Sequence, residues 1–318
     1  MNYLPETFYA KIMLFGEYGV IFNSMGLTIP YVHFKGEFRF IDDQQYTDFE
    51  FAKASNRKLK EFANYLKKLT ASEHNFAEFD TDRLEKDILR GLYFESTIPQ
   101  GYGIGSSGAL CAAIYYHYAV DAIRLKRIFS QEDAKRLKEI FSVMESYFHG
   151  QSSGIDPLLC YIRQPLLISE AKKFEIVSIP REQFRDGGAI FLIDTGRPGK
   201  TGPLVNLFRQ KAKKPSYLEF IERQLIPTTH ACITTLLKGD NQSFFVNLKQ
   251  LSEMQLSHFK EMIPPGFHEV WQHGLQSGDF YLKLCGSGGG GFMLGMTPHL
   301  HHAKSSLKKY NLTPVMVY

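Results

Sequence analysis

Two periodicities of apolar residues alternate along this chain, and the switches between them mark its elements. Residues 7–22 are apolar, with β-branched and aromatic side chains on either side of Gly16-Glu17, which predicts strand, tight turn, strand. GLTIPYVHFKGEFRFI (26–41) continues as strand. From 49 to 71 the apolar positions fall at helical spacing, and TDRLEKDILRGL (81–92) repeats that pattern. LYFESTIP alternates as a strand into Pro99. The run SGALCAAIYYHYAVDAI, from Ser107, meets no breaker for four turns and predicts a buried helix that starts at the glycines before it. Ser130 to Asp133 resembles a capping box and opens a helix to about Phe148. Its apolar stripe is Ile140, Phe141, Met144, Tyr147 and Phe148, and Gly150 and Gly154 stop it. LLCYIR and LLIS then read as a hairpin.

A second region starts near residue 180. GGAIFLIDTG reads as a buried strand, helical patterns cover 204–213, 217–237 and 241–260, and YLKLCGSGGGGFMLGM reads as strand, glycines, strand. A helix over 299–309 and a strand at PVMVY close the chain. This order is α+β, not a repeating βαβ wind, and predicts two domains, 1–180 and 181–318.

The bulk composition limits the partners. With 318 residues, 44% hydrophobic and 22% charged, the chain can bury a full core. A net charge of +4 suits an anionic ligand. The basic runs at 124–127 and 209–214 lack interleaved stacking aromatics, so they read as solvated helix faces and not as a nucleic-acid surface. Cys111, Cys160, Cys232 and Cys285 are widely spaced, as reduced thiols are in the cytoplasm. The N-terminus lacks the pattern of a leader, and no apolar run approaches the ~18 residues of a membrane span. A cytoplasmic protein without membrane or nucleic-acid partners is expected. A homodimer is compatible with the sequence but not specified by it.

Candidate chemistry gathers at three glycine sites. In IPQGYGIGSSGAL (98–110), Gly103, Gly105 and Gly108 have dinucleotide-turn spacing. That fold needs an acidic residue at the end of a second strand, and Asp121 belongs to the long helix instead. Read from Pro99, alternating Gly101, Gly103 and Gly105 let backbone N–H groups approach phosphate oxygens. The helix from Ser106 adds its positive end, and the Ser107 hydroxyl suits Mg²⁺. A tight turn with no ligand is the plain alternative. GRPGKTG (196–202) ends like a Walker loop, but Asp194 stands where the first glycine belongs. CGSGGGGFML (285–294) is either a flexible hairpin turn or a place where something approaches the backbone closely.

Phosphoryl transfer needs cations on the phosphates, an oxygen ligand for Mg²⁺ and often a carboxylate at the acceptor hydroxyl. Lys11, Glu145, Asp156 and Ser107 supply those groups, though each alone reads equally as a surface charge or a turn residue. Glu145 and His149 lie four apart, but no H-E-x-x-H accompanies them, which argues against zinc.

With the three sites in order, KIMLFGEYGVIF (11–22), PQGYGIGSSGAL (99–110) and KLCGSGGGGFML (283–294), the chain resembles the GHMP kinases over nearly its whole length. The resemblance implies an α+β fold in which an N-terminal domain like ribosomal protein S5 domain 2 precedes a ferredoxin-like domain, with ATP and acceptor bound between them. ATP would lie on Pro99, Gly101, Gly103, Ile104, Gly105, Ser106, Ser107, Gly108 and Ala109. ESYFHGQSSGID (145–156) is similar to the branch that phosphorylates mevalonate. By that similarity Ser107 and Glu145 would hold Mg²⁺, and Asp156 would be the base or orienting carboxylate beside Lys11. Glu17, Thr201, Gly288 and Gly289 would line the acceptor pocket.

The chain departs from that branch at Tyr18, where His is usual, at Gly108, where Ala is usual, at Pro157, where Asn is usual, and at Tyr102 between the glycines. These departures bear on the acceptor more than on the chemistry. They keep phosphomevalonate, with Arg197 and Lys200 as the extra cations, and sugars as alternatives. A non-catalytic ligand sensor on the same fold would be expected to lose Lys11, Glu145 or Asp156, and all are present.

Overall fold

A computed structural model of the chain describes residues 6–41, 48–72, 77–125, 128–169, 173–180 and 187–317. The elements in order are β1 (Phe8–Phe15), β2 (Gly26–Phe40), α1 (Phe49–Ser72), α2 (Thr81–Leu89), β3 (Leu92–Ser96), α3 (Ser106–Tyr118), α4 (Gln131–His149) and α5 (Ile155–Ile162). A short hairpin follows, β4 (Leu166–Ile168) and β5 (Phe174–Ile176), and then β6 (Ala189–Asp194). The remainder is α6 (Thr201–Lys211), α7 (Pro215–Phe220), α8 (Ile226–Lys238), α9 (Asn241–His258), α10 (Phe267–Ser277), β7 (Tyr281–Leu284), β8 (Phe292–Thr297), α11 (Leu300–Ser306) and β9 (Leu312–Val317). The mixture is α+β, as the pattern predicts.

Contacts group the chain into two compact units that interleave in sequence: 1–11 with 30–99 and 105–163, and 12–29 with 100–104 and 164–318. In the first, the far half of β2 pairs antiparallel with β3, from Gly36 opposite Ser96 to Phe40 opposite Leu92. Leu59, Phe62, Ala63 and Leu66 of α1 are buried, which is the inward face its spacing predicts. Ser130 caps α4 by accepting the Asp133 N–H at 3.1 Å. α3 and α5 are apolar nearly all round and form the centre of this unit, with Cys111, Ile114, Leu158, Leu159 and Tyr161 buried.

In the second unit, β7-β8-β6-β9 form a wholly antiparallel sheet. A buried polar chain links its helices to the sheet. The Trp271 indole donates to Ser252 Oγ at 2.7 Å, Ser252 Oγ donates to the Leu282 carbonyl at 2.6 Å, and the Leu284 N–H reaches Gln255 Oε1 at 2.8 Å. These bonds join α9 and α10 to β7 and satisfy the polar atoms that take part.

Several elements differ from their sequence expectation, each for a physical reason. Gly19–Phe22 is one 3-10 turn and not a second strand, because positive φ at Gly16, Tyr18 and Asn23 turns the chain on both sides of it. LLCYIR continues α5: Gly154 caps that helix in the left-handed region, and burial on every side erases the polar stripe that marks a helix in sequence. The hairpin is β4 with β5 instead. α3 stops at Tyr118, where Ala119 turns extended and bridges to Phe79. The 217–237 pattern is α7 and α8 joined by a π turn over Ile221–Leu225, just before Pro227, which has no N–H for the α ladder. α10, after Pro264-Pro265-Gly266, has no counterpart in the sequence reading. Arg124 lies in a loop and not on a helix face, and residues 126 and 127 fall outside those described. The four cysteines are buried thiols. Among the described residues, no helix is long and apolar enough to cross a membrane.

Candidate active site

In the first unit, β1 delivers Lys11 and the opening turn of α5 delivers Asp156. Lys11 Nζ lies 2.9 Å from Asp156 Oδ2. The lysine side chain is 9% exposed and the aspartate side chain 36%, so the carboxylate alone is open to an incoming group. Burial by itself pulls the Lys11 ammonium down, but the adjacent Asp156 and the charge of Glu145 outweigh it and leave its pKa raised. Lys11 is therefore held as a cation beside that carboxylate.

Glu145, late on α4, is held by two hydroxyls. Ser107 Oγ donates to its Oε1 at 3.1 Å and Ser152 Oγ to its Oε2 at 2.5 Å. Burial, reinforced by the negative charge of Asp156, pushes this carboxyl up to about 7 against the opposing pull of those hydroxyls and of Lys11. A buried carboxylate with neutral hydroxyl partners is an electrostatic site that a cation would stabilise. Ser107 and Glu145 present hard oxygens side by side, and Mg²⁺ is typically bound by one or two carboxylates, with waters and phosphate oxygens filling the rest. The donor set therefore fits that ion. Ser152, which fixes Glu145, escapes a reading of charged residues, although it lies within the quoted HGQSSGID.

The glycine-rich stretch has the backbone a phosphate loop needs. Gly101, Gly103 and Gly105 hold φ of +80°, +71° and +85°, a region only glycine adopts freely. Gly105 is the N-cap of α3, and no side chain caps that helix end. Ser106 opens the helix; Gly108 and Ala109 are buried in its first turn, and Ile104 is buried before it. Pro99 ends one unit's segment, and Gly101, Gly103 and Ile104 belong to the other unit.

The second unit holds the residues expected at the acceptor. Glu17 is buried and committed: Lys283 Nζ lies 2.5 Å from its Oε1 and also donates to the Leu284 carbonyl at 2.7 Å. Burial raises the Glu17 carboxyl despite Lys283. Lys283 escapes a charge-by-charge reading because a lone lysine in a strand gives no sign of its partner 266 residues away. Tyr18 Oη donates to the Ser287 carbonyl at 2.6 Å, and Ser287 Oγ meets Thr201 Oγ1 at 3.1 Å. Two adjacent residues of the first glycine motif thus grip the third. Thr201 is exposed at the start of α6. A methyl group on Gly288 would fall 2.4 Å from the Met262 carbonyl, and one on Gly289 2.7 Å from Leu204 Cδ1. Backbone packing requires glycine at 288, and positive φ, +73° and +75°, favours it at both positions.

Comparison with known proteins points the same way. Residues 60–163 match the family described as GHMP kinases N terminal domain. Mevalonate kinase of Pyrococcus abyssi (strain GE5 / Orsay) is 24% identical over 320 residues, covering 91% of this chain and 87% of that protein. The fold is similar to that of L. major mevalonate kinase in complex with R-mevalonate, at a TM-score of 0.66 and 17% identity, over 99% of this chain and 97% of that one. It is also similar to Streptococcus pneumoniae phosphomevalonate kinase in complex with phosphomevalonate and AMPPNP, at 0.58 and 14%, over 96% and 95%. Residues 60–163 thus carry a GHMP kinases N-terminal domain, and the chain is similar over most of its length to phosphotransferases that act on an alcohol.

Proposed function

We propose that the protein transfers the γ-phosphoryl group of ATP to the primary hydroxyl of mevalonate, giving 5-phosphomevalonate for isoprenoid precursor synthesis. The observation that carries the reading is the Lys11–Asp156 pair, buried on the lysine side and open on the carboxylate side. An acceptor hydroxyl reaching Asp156 donates its proton toward Oδ1 or Oδ2 as the bond to phosphorus forms. Lys11, fixed as a cation, lowers the energy of the alkoxide character that develops. The loop over 99–109 aims backbone N–H groups at the phosphates, so transfer depends on position and charge, with no covalent enzyme intermediate. Ser107 and Glu145 would hold Mg²⁺, which when bound neutralises phosphate charge.

Mevalonate is favoured as the acceptor by the ESYFHGQSSGID stretch and by the relative at 24% identity. Tyr18 in place of the usual His supports phosphomevalonate as the second reading, with the exposed Arg197 and Lys200 available to a more anionic substrate. Glu17 and Thr201 would serve the acceptor side, Glu17 through Lys283 and not by direct contact. The two-domain division near residue 180 and a cytoplasmic setting belong to the same reading. The test is ADP release by purified protein with Mg²⁺-ATP and, separately, mevalonate, phosphomevalonate and a panel of sugars. Turnover with phosphomevalonate alone would select the second reading.

A further inference from the structure

GRPGKTG fails the Walker pattern, yet its loop is bound to the second unit's share of the glycine-rich stretch. The Gly199 N–H donates to the Gly101 carbonyl at 3.0 Å, and Pro198 Cβ lies 3.0 Å from where a methyl group on Gly101 would stand. Tyr102 Oη donates to Asp194 Oδ1 at 3.2 Å, and its ring meets Phe292 edge-on at 5.0 Å. Beneath them, the Gly291 N–H reaches the Arg197 carbonyl at 2.6 Å, and the Thr195 N–H reaches the Gly291 carbonyl at 3.0 Å. The segments meet backbone to backbone. A methyl group on Gly199 would fall 2.9 Å from the Gly288 carbonyl, and one on Gly291 would fall 3.1 Å from Tyr102 Cα.

A turn built of alternating glycines has little side-chain packing of its own and loses much entropy when a ligand orders it. Tyr102 is the one side chain between Gly101 and Gly103, and it is one of the positions where the chain departs from the pattern it otherwise resembles. We propose that the 194–199 loop braces the Gly101–Tyr102 turn, with Tyr102 and Gly199 as positioning residues for the nucleotide. The brace rests on the reading of 99–109 as the loop that holds ATP. It orders the turn before ATP arrives, so losing it weakens ATP binding and leaves the acceptor untouched. Asp194 serves as the far anchor, and its Oδ1 also accepts the Gly196 N–H at 2.8 Å.

The test is calorimetric titration of Mg²⁺-ATP into wild type, Y102F, Y102A, D194A and D194N, with the acceptor KM and the melting temperature measured for each. Expected is a rise in ATP Kd of about threefold for Y102F and about tenfold for Y102A and D194A, the size of one or two lost contacts. D194N keeps an acceptor oxygen and stays within about twofold of wild type. Y102A with D194A together falls well short of the product of the two single effects, because they share the Tyr102–Asp194 bond. Acceptor KM stays within about twofold throughout, by the same reasoning. Unchanged ATP Kd in Y102F and Y102A, additive effects in the double variant, or an equal rise in acceptor KM would overturn the brace. A wild-type protein that binds no ATP would instead defeat the reading of 99–109, and the brace with it. Should D194A fail to fold, Y102F and Y102A decide the question alone.

Discussion

Gly108 and Pro157 share one space: a methyl group on Gly108 would stand 2.9 Å from the Pro157 nitrogen and 3.0 Å from the carbonyl carbon of Asp156. Both residues depart from the pattern of the family branch the chain otherwise resembles, and the structure makes them neighbours. Proline has no N–H to accommodate, and glycine has no side chain, so α3 and the start of α5 approach closely just where α5 presents Asp156. Gly108→Ala therefore pushes on the backbone of Asp156. We expect a loss of about 1–3 kcal/mol in stability and a fall in kcat, with ATP KM little changed. Denaturant melts and steady-state kinetics check both.

The ion pair of Lys11 and Asp156 gives a second expectation. Asp156→Ala leaves Lys11 buried as an unpaired cation, and Lys11→Met leaves Asp156 partly exposed without its partner. Each should remove most turnover, by on the order of 100-fold or more for loss of a proton acceptor or an electrostatic stabiliser. Asp156→Ala should also cost more stability than Lys11→Met, because the more buried charge is the one left behind. Circular dichroism melts of the two variants test that order.

Glu145 titrates from about 7 in the folded chain against an ordinary value of 4.5. A raised carboxyl means that the folded state binds the proton more tightly than the unfolded state. Its favourable contribution is complete below about 4.5 and is lost as pH rises through about 7. In the absence of divalent cation, Glu145→Gln should therefore melt higher than wild type at pH 8, by an amount on the order of 1–3 kcal/mol. It should melt nearly the same at pH 4. With Mg²⁺ the order reverses in function: wild type turns over and the variant does not. Thermal melts at the two pH values with chelator present read the first effect.

The Glu17–Lys283 pair lies almost wholly out of water, 3% and 0% exposed on its two side chains. Lys283→Met strands a buried carboxylate and should cost about 3–5 kcal/mol. The double variant Glu17→Gln with Lys283→Met should recover much of that loss, because no bare charge remains. Denaturant melts of Lys283→Met and of the double variant, run side by side, check that recovery.

Much of this was legible in the residues. The 131–148 helix, its Ser130 cap and the helix at the phosphate turn follow from period and capping alone. Lys11, Ser107, Glu145 and Asp156 come together in one unit, although 145 residues separate the first from the last. What stayed hidden was whatever depends on burial from all sides or on distant partners. α5 has no polar stripe, so its LLCYIR half reads as strand. Lys283 and Ser152 are ordinary residues until the fold brings Glu17 and Glu145 to them. Glycines 288 to 291 read in sequence as a loose turn or as a place of close approach to the backbone, and which part of the chain approaches each of them is visible only in the fold.

Incubation of the purified protein with Mg²⁺-ATP and mevalonate, with ADP and 5-phosphomevalonate both quantified, tests the central claim most directly. Wild type should give the two products in equal amounts, and Asp156→Ala neither above background. ADP no higher with mevalonate than without it, from folded wild-type protein that binds ATP, would contradict the assignment.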